Sequence, residues 1–188
     1  RDWSSDVCSS DLRRTFVLGF SMGGLIALML ASRHHVDGLV VVSAPLRIRD
    51  PRAPFLPLIA LVRKYEPPAP PASPAEMGVE ERRTVSYSQK PVACIQSLIR
   101  LMQAVKAETP HVEAPLLAAY GAHDRTAPPE DGQWIIDHAG RGAGTDAGRD
   151  AASGALRRLV VLENSDHFGM LGPDRDTLFG EIEAFIVG

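Results

Sequence analysis

The sequence contains no apolar run of the roughly 18 to 20 residues that a membrane-spanning helix needs, so no integral membrane segment is expected. Cysteine is scarce. Cys8 and Cys94 are the only two, which makes neither a disulfide framework nor a Cys-based metal site. Reduced thiols in a cytoplasmic protein are the simpler reading. No sign of charge dominates: 20 Lys and Arg stand against 23 Asp and Glu, a net charge of −3. A basic surface for nucleic acid is therefore not indicated. The six histidines are scattered, and the His-Glu-x-x-His zinc pattern does not occur. Gly-x-Gly-x-x-Gly and the Walker phosphate loop are also missing. No metal and no cofactor is expected.

An initiator methionine is missing as well. Residues 1–12 (RDWSSDVCSSDL) are Ser- and Asp-rich, with neither helix nor strand periodicity and no apolar stretch of the signal-peptide kind. They read as a non-native leader, similar to translated sequencing-adapter read-through. A targeting signal on the natural N-terminus stays open.

What is present is an alternation of buried strands and helices. Residues 15–20 (TFVLGF) form a short apolar run with β-branched and aromatic residues, expected as a strand. Residues 25–32 (LIALMLAS) are helix formers that are apolar all round, the pattern of a buried helix. Residues 38–43 (GLVVVS) read as a second strand. Strand, turn, helix and strand make a βαβ unit, hence an α/β fold with a mostly parallel sheet flanked by helices. The pattern resumes at 115–120 (PLLAAY), with a helix opening at Pro128-Pro129, a last strand at 159–162 and a closing helix over 174–187. That closing helix carries Leu178, Phe179, Ile182, Phe185 and Ile186 on one face.

Between them, residues 50–114 differ. Pro67-Pro68-Ala69-Pro70-Pro71 cannot be regular helix or central strand. Helical patterns flank it at 54–65 and 91–106. This span is expected to be a small helical insertion over a core made of 13–49 and 115–188. Residues 140–154 are low-complexity Gly, Ala and Asp, expected as a surface loop.

Three residues carry chemistry. Gly19-x-Ser21-x-Gly23 arises by chance roughly 5% of the time in a chain this long, so its weight comes from position. It lies between a buried strand and a buried helix, where a nucleophile elbow must sit. A strained turn there presents the hydroxyl at a helix N-terminus, whose partial positive charge favours a developing oxyanion. The Met22 backbone N–H is the expected oxyanion donor. A Gly-rich turn with an ordinary capping serine is the bland alternative. Asp124, in Tyr120-Gly121-Ala122-His123-Asp124, follows a strand end, where catalytic groups of open α/β sheets gather. It is the candidate acid that orients an imidazole; a simple turn aspartate is the alternative. His167 lies between the last strand and the last helix, and an imidazole suits proton shuttling near neutrality. His34, His35, His111 and His138 do not follow strand ends and read as solvated loop residues; His123 likewise.

With these motifs in hand, the chain resembles the bacterial carboxylesterase and monoacylglycerol-lipase-like branch of the α/β-hydrolases. The likeness rests on GFSMGG (19–24), PLLAAYGAHDRTAP (115–128) and LVVLENSDHFGML (159–171). It implies cofactor-free hydrolysis of short to medium acyl esters through an acyl-enzyme on Ser21, with His167 as base and Asp124 as triad acid. Small-molecule acyl esters are then the partners, and oligomeric state is left open. It also implies a lid over 50–114, with Phe55, Leu58, Ile59, Val62 and Met102 as candidates for the acyl pocket or for packing on the main domain. The family's earlier strands, and the loop near a His-Gly pair that gives a second oxyanion donor, are missing from this chain. One such donor is worth on the order of 3 kcal/mol, and the strand at 15–20 would present an apolar edge. The chain alone is expected to be unstable or nearly inactive. Fold and triad do not choose among esterase, thioesterase and C–C hydrolase, and a non-catalytic homologue with a binding role is a further alternative.

Overall fold

Side chains on a β-strand alternate between its two faces, and in this chain both faces of the central strands are apolar, which demands cover on each side. A computed structural model of the chain describes residues 14–50, 55, 64–65, 91–141 and 156–188. In order they form β1 (Phe16–Phe20), α1 (Met22–Ala31), β2 (Gly38–Val42), α2 (Val92–Glu108), a 3-10 turn (Thr109–His111), β3 (Leu116–Gly121), α3 (Pro129–His138), β4 (Arg157–Leu162) and α4 (Arg175–Val187). The four strands make one sheet in the order β1-β2-β3-β4, and every pairing is parallel.

One face packs Leu39, Val41, Leu116, Ala118 and Tyr120 against Leu25 and Leu28 of α1, Met102 and Val105 of α2, and Ile135 of α3. The other packs Val40, Val42, Leu117 and Ala119 against Leu178, Ile182 and Phe185 of α4. The alternation is complete: odd and even positions of β2 feed different cores.

Several expectations shift at their edges. The first helix begins at Met22, directly after Ser21, rather than at residue 25. The last strand begins two residues earlier, at Arg157, because pairing with β3 extends to Leu116 and Leu117. Arg158 there ion-pairs with Glu181 of α4. Phe179 lies off the buried face of α4, 48% exposed, with the Arg175 guanidinium over its ring. Of the two readings of Met102, acyl pocket or packing on the main domain, the structure gives the second: it is 2% exposed and belongs to the main core. Phe55 is exposed. Leu58, Ile59 and Val62, the leader at 1–12, the proline-rich linker and residues 142–154 of the glycine-rich stretch lie outside the described residues.

Among the described residues β1 is an edge strand. Leu18 is 54% exposed, and Met22, Ile26 and Leu30 on the neighbouring flank of α1 are exposed as well.

Two buried polar groups fasten the segment that leaves β2. The Tyr120 hydroxyl donates to the Ala44 carbonyl at 2.9 Å. Burial, reinforced by nearby Asp131, pushes this phenol well above the ordinary tyrosine range, so it remains a donor. Asp131, 4% exposed, accepts the Leu46 N–H at 3.1 Å, and the guanidinium groups of Arg47 and Arg49 approach it at 3.9 and 3.6 Å.

The end of β3 meets the loop after β4 more closely than any side chain permits. A Cβ on Gly121 would lie 2.3 Å from the Asp166 carbonyl oxygen and 2.5 Å from that of Ser165. Because those neighbours are backbone, Gly121→Ala is expected to lower stability by about 2 kcal/mol through forced displacement. Tyr120→Phe orphans the Ala44 carbonyl and is expected to cost about 1 kcal/mol. Urea denaturation checks both, and an unchanged midpoint in either variant refutes the corresponding contact.

Candidate active site

A parallel sheet collects its carboxyl-terminal strand ends on one edge, and the loops leaving that edge are neighbours. Ser21 leaves β1, Asp124 lies three residues beyond β3, and His167 five beyond β4. They meet. His167 Nε2 lies 3.0 Å from Ser21 Oγ, and His167 Nδ1 lies 2.7 Å from Asp124 Oδ2.

The turn at Ser21 is strained. Its φ is 52° and ψ −121°, a region that costs a non-glycine residue about 1 to 3 kcal/mol. Three features impose it. The Ser21 N–H donates to the Val42 carbonyl of β2 at 2.8 Å, holding the turn to the sheet. The Ser21 carbonyl accepts the Gly24 N–H at 3.0 Å, starting α1 at once. Gly19 is crowded: a Cβ there would lie 2.2 Å from the Gly23 carbonyl oxygen. Gly24 is crowded too, with Ala44 Cβ 2.8 Å from its virtual Cβ. At Gly23, by contrast, a Cβ meets nothing within 4 Å. The steric demand falls on Gly19 and Gly24.

Ser21 stands at the N-cap of α1 without making a side-chain capping bond. Its hydroxyl is turned to the imidazole instead. The Met22 amide is the first of the helix and belongs to the turn whose N–H groups have no partner inside a helix. The positive end of the α1 dipole lies at this turn.

Asp124 is 4% exposed, and its carboxylate meets three donors. Oδ1 accepts the Thr126 and Ala127 N–H groups at 2.7 and 2.8 Å, leaving Oδ2 for the imidazole. A carboxylate is acceptor-only, so the proton of neutral His167 sits on Nδ1 and Nε2 faces Ser21 as acceptor. Thr126 and Ala127 belong to no catalytic motif, although Asp-x-Thr after a strand is a readable turn signal.

Two aromatic rings flank the imidazole. Phe20 and Phe168 have centroids 5.2 and 5.3 Å from it, the latter edge-on. The His167 side chain is 16% exposed. Backbone bonds then tie the acid loop to the histidine loop: Ala122 N–H donates to Leu162 O at 2.9 Å and His123 N–H to Ser165 O at 3.0 Å. His123 is exposed and takes no part through its ring. His34, His35 and His111 are exposed. His138 departs from the loop expectation: it ends α3, stacked 3.9 Å from Trp134.

Among the described residues, no group of three or more His, Cys, Asp or Glu side chains could hold a metal ion. No described helix is long and apolar enough to cross a membrane.

Known proteins share this arrangement of elements. The sequence model of the family described as serine aminopeptidase, S33, matches residues 7–146. A thermostable monoacylglycerol lipase of Bacillus sp. (strain H-257) is 26% identical over 162 residues, covering 85% of this chain. The chain spans 57% of that relative's length. A solved structure of a metagenome-derived lipolytic enzyme superposes with a TM-score of 0.66 at 25% identity, covering 91% of this chain and 64% of that one. The Paleococcus ferrophilus monoacylglycerol lipase superposes with a TM-score of 0.65 at 16% identity, covering 93% and 68%, a likeness of fold. The chain belongs to the serine aminopeptidase S33 family of the α/β-hydrolases.

Proposed function

We propose that this chain is the catalytic portion of a serine hydrolase that cleaves carboxylic esters of short to medium acyl chain. The observation that carries the reading is the hydrogen-bonded line from Ser21 Oγ through His167 to buried Asp124, starting on a strained elbow. An ordinary capping serine would occupy its hydroxyl with the helix and would need no unusual backbone. The lipolytic names of the relatives favour esters as the substrate class.

In this reading Ser21 Oγ attacks the ester carbonyl carbon while its proton passes to His167 Nε2. The carbonyl oxygen becomes an oxyanion and accepts the Met22 N–H at the positive end of α1. Collapse of the tetrahedral species breaks the bond to the alkoxy group, which leaves as alcohol with the proton from Nε2. Water then attacks the acyl-enzyme, giving its proton to Nε2, and the acid departs as Ser21 recovers its hydrogen. Asp124 stays ionised throughout and stabilises the imidazolium. Asp131 holds the segment that leaves β2 by accepting the Leu46 N–H. The free thiol of Cys94 fits a reducing, cytoplasmic setting.

Turnover of p-nitrophenyl esters across acyl lengths, beside aminoacyl p-nitroanilides, tests the reading. Ser21→Ala is expected to reduce kcat by on the order of a thousandfold or more and to abolish fluorophosphonate labelling. Faster turnover of the anilides, or ester turnover that survives in the variant, overturns it. Asp124→Asn probes the orientation of the ring separately. The amide oxygen of the replacement keeps the Thr126 and Ala127 bonds, while its NH2 faces His167 and drives the ring proton onto Nε2. A loss of kcat on the order of 1,000- to 10,000-fold is expected, with the thermal midpoint nearly unchanged. An active variant would remove Asp124 from the mechanism.

A further inference from the structure

The loop that carries His167 has no secondary structure of its own between Leu162 and Arg175. A base on such a loop needs its position fixed to a fraction of an ångström to accept a proton from Ser21. What fixes it is legible in the bonds at the two ends of the loop.

Asp174 closes it. This residue occupies the N-cap of α4, where an aspartate ordinarily accepts an amide N–H of its own helix. It makes no such bond. Its carboxylate turns back to the start of the loop. Oδ2 accepts the Asn164 backbone N–H at 2.7 Å and the Ser165 hydroxyl at 3.0 Å, and Oδ1 accepts the Asn164 amide at 3.1 Å. Ser165 is fully buried. It is also the residue at which the histidine loop touches the acid loop: its carbonyl accepts the His123 N–H, beside the close approach to Gly121.

We infer that Asp174 is a positioning residue for His167, a clasp that sets the histidine loop through Ser165 and registers it against the loop bearing Asp124. The bonds run from Asp174 to Ser165 Oγ, and from Ser165 O to His123, one residue before the acid. Phe168 is tied down separately by its N–H to Asp166 Oδ1 at 2.9 Å. Bonds from Asn164 hold the Asp174 carboxyl below its usual range, so it is fully ionised, and a strong acceptor, at neutral pH. The geometry of the clasp stands on its own. Its catalytic consequence rests on the serine hydrolase reading above.

The test compares Asp174→Ala with Asp174→Asn in the full chain, by two readouts. One is ester turnover, resolved into kcat and KM. The other is the downfield proton resonance of the His167 Nδ1–H bonded to Asp124, which reports the imidazole whether or not substrate is turned over. Asp174→Ala is expected to lower kcat about 10- to 100-fold with KM within about twofold, and to broaden or erase the resonance. In Asp174→Asn the amide oxygen replaces Oδ2, and the Asn164 side chain flips to accept from the new NH2, so most of kcat and the resonance are expected to return. If Asp174→Ala does not fold, Ser165→Ala removes the hydroxyl alone and is expected to lower kcat about threefold to tenfold while weakening the resonance. Wild-type kcat and resonance in a folded Asp174→Ala or Ser165→Ala overturn the clasp. Loss of the resonance without Ser21-dependent turnover in any variant, the wild type included, upholds the clasp and rejects the hydrolase reading instead.

Discussion

The parallel hydrogen-bond ladder from β1 to β4 is the constraint on which the rest of this molecule depends. Parallel pairing in register sends the carboxyl ends of all four strands to one edge, as Phe20 opposite Val42 and Gly121 opposite Leu162 show. Three loops from that edge then converge without any of them being long. β2 contributes no member of the Ser21, His167 and Asp124 group, yet it separates β1 from β3 and supplies the Val42 carbonyl that holds the Ser21 amide. The same ladder demands two cores, and the alternation of β2 and β3 fills both with side chains of adjacent positions. Site and stability are consequences of one arrangement.

That arrangement was legible in the sequence where burial dictates composition. Five consecutive buried positions in β2 and six in β3 leave no polar residue to confuse the reading. The Gly19-x-Ser21-x-Gly23 turn was legible because close backbone approach excludes side chains at Gly19. The start of β4 was not, because Arg157 and Arg158 look like loop residues and owe their place to pairing with β3. Met102 left two readings open, acyl pocket or main domain, for a related reason. Its helical spacing established a buried face, but periodicity carries no address, and the face it occupies belongs to α1 and the sheet rather than to a separate cover. The amides of Thr126 and Ala127 were hidden because backbone donors leave no trace in residue identity beyond a turn signal. On α1, composition promised burial all round, whereas Ile26 and Leu30 are exposed beside the β1 edge. A helix this apolar is written for contact on that flank also.

Ser21 and Asp174 obey a common logic that no motif expresses. Each sits at the N-cap of a helix, and each forgoes the capping bond its side chain is suited to make. The forgone bond is worth about 1 kcal/mol in each case. Each oxygen is directed to the same imidazole-bearing loop: Ser21 Oγ to the ring itself, Asp174 to the residues that precede it. A fold selected for stability alone would have capped both helices. Helix termini are where such diversion is cheapest, because an uncapped first turn can be satisfied by water while a strand or helix interior cannot. They are also where the geometry is firmest, since the α1 dipole begins at Ser21 and α4 gives the loop a rigid origin. The local failures of capping on α1 and α4 are therefore read best as a single expenditure, concentrated at the edge of the sheet where Ser21, Asp124 and His167 meet.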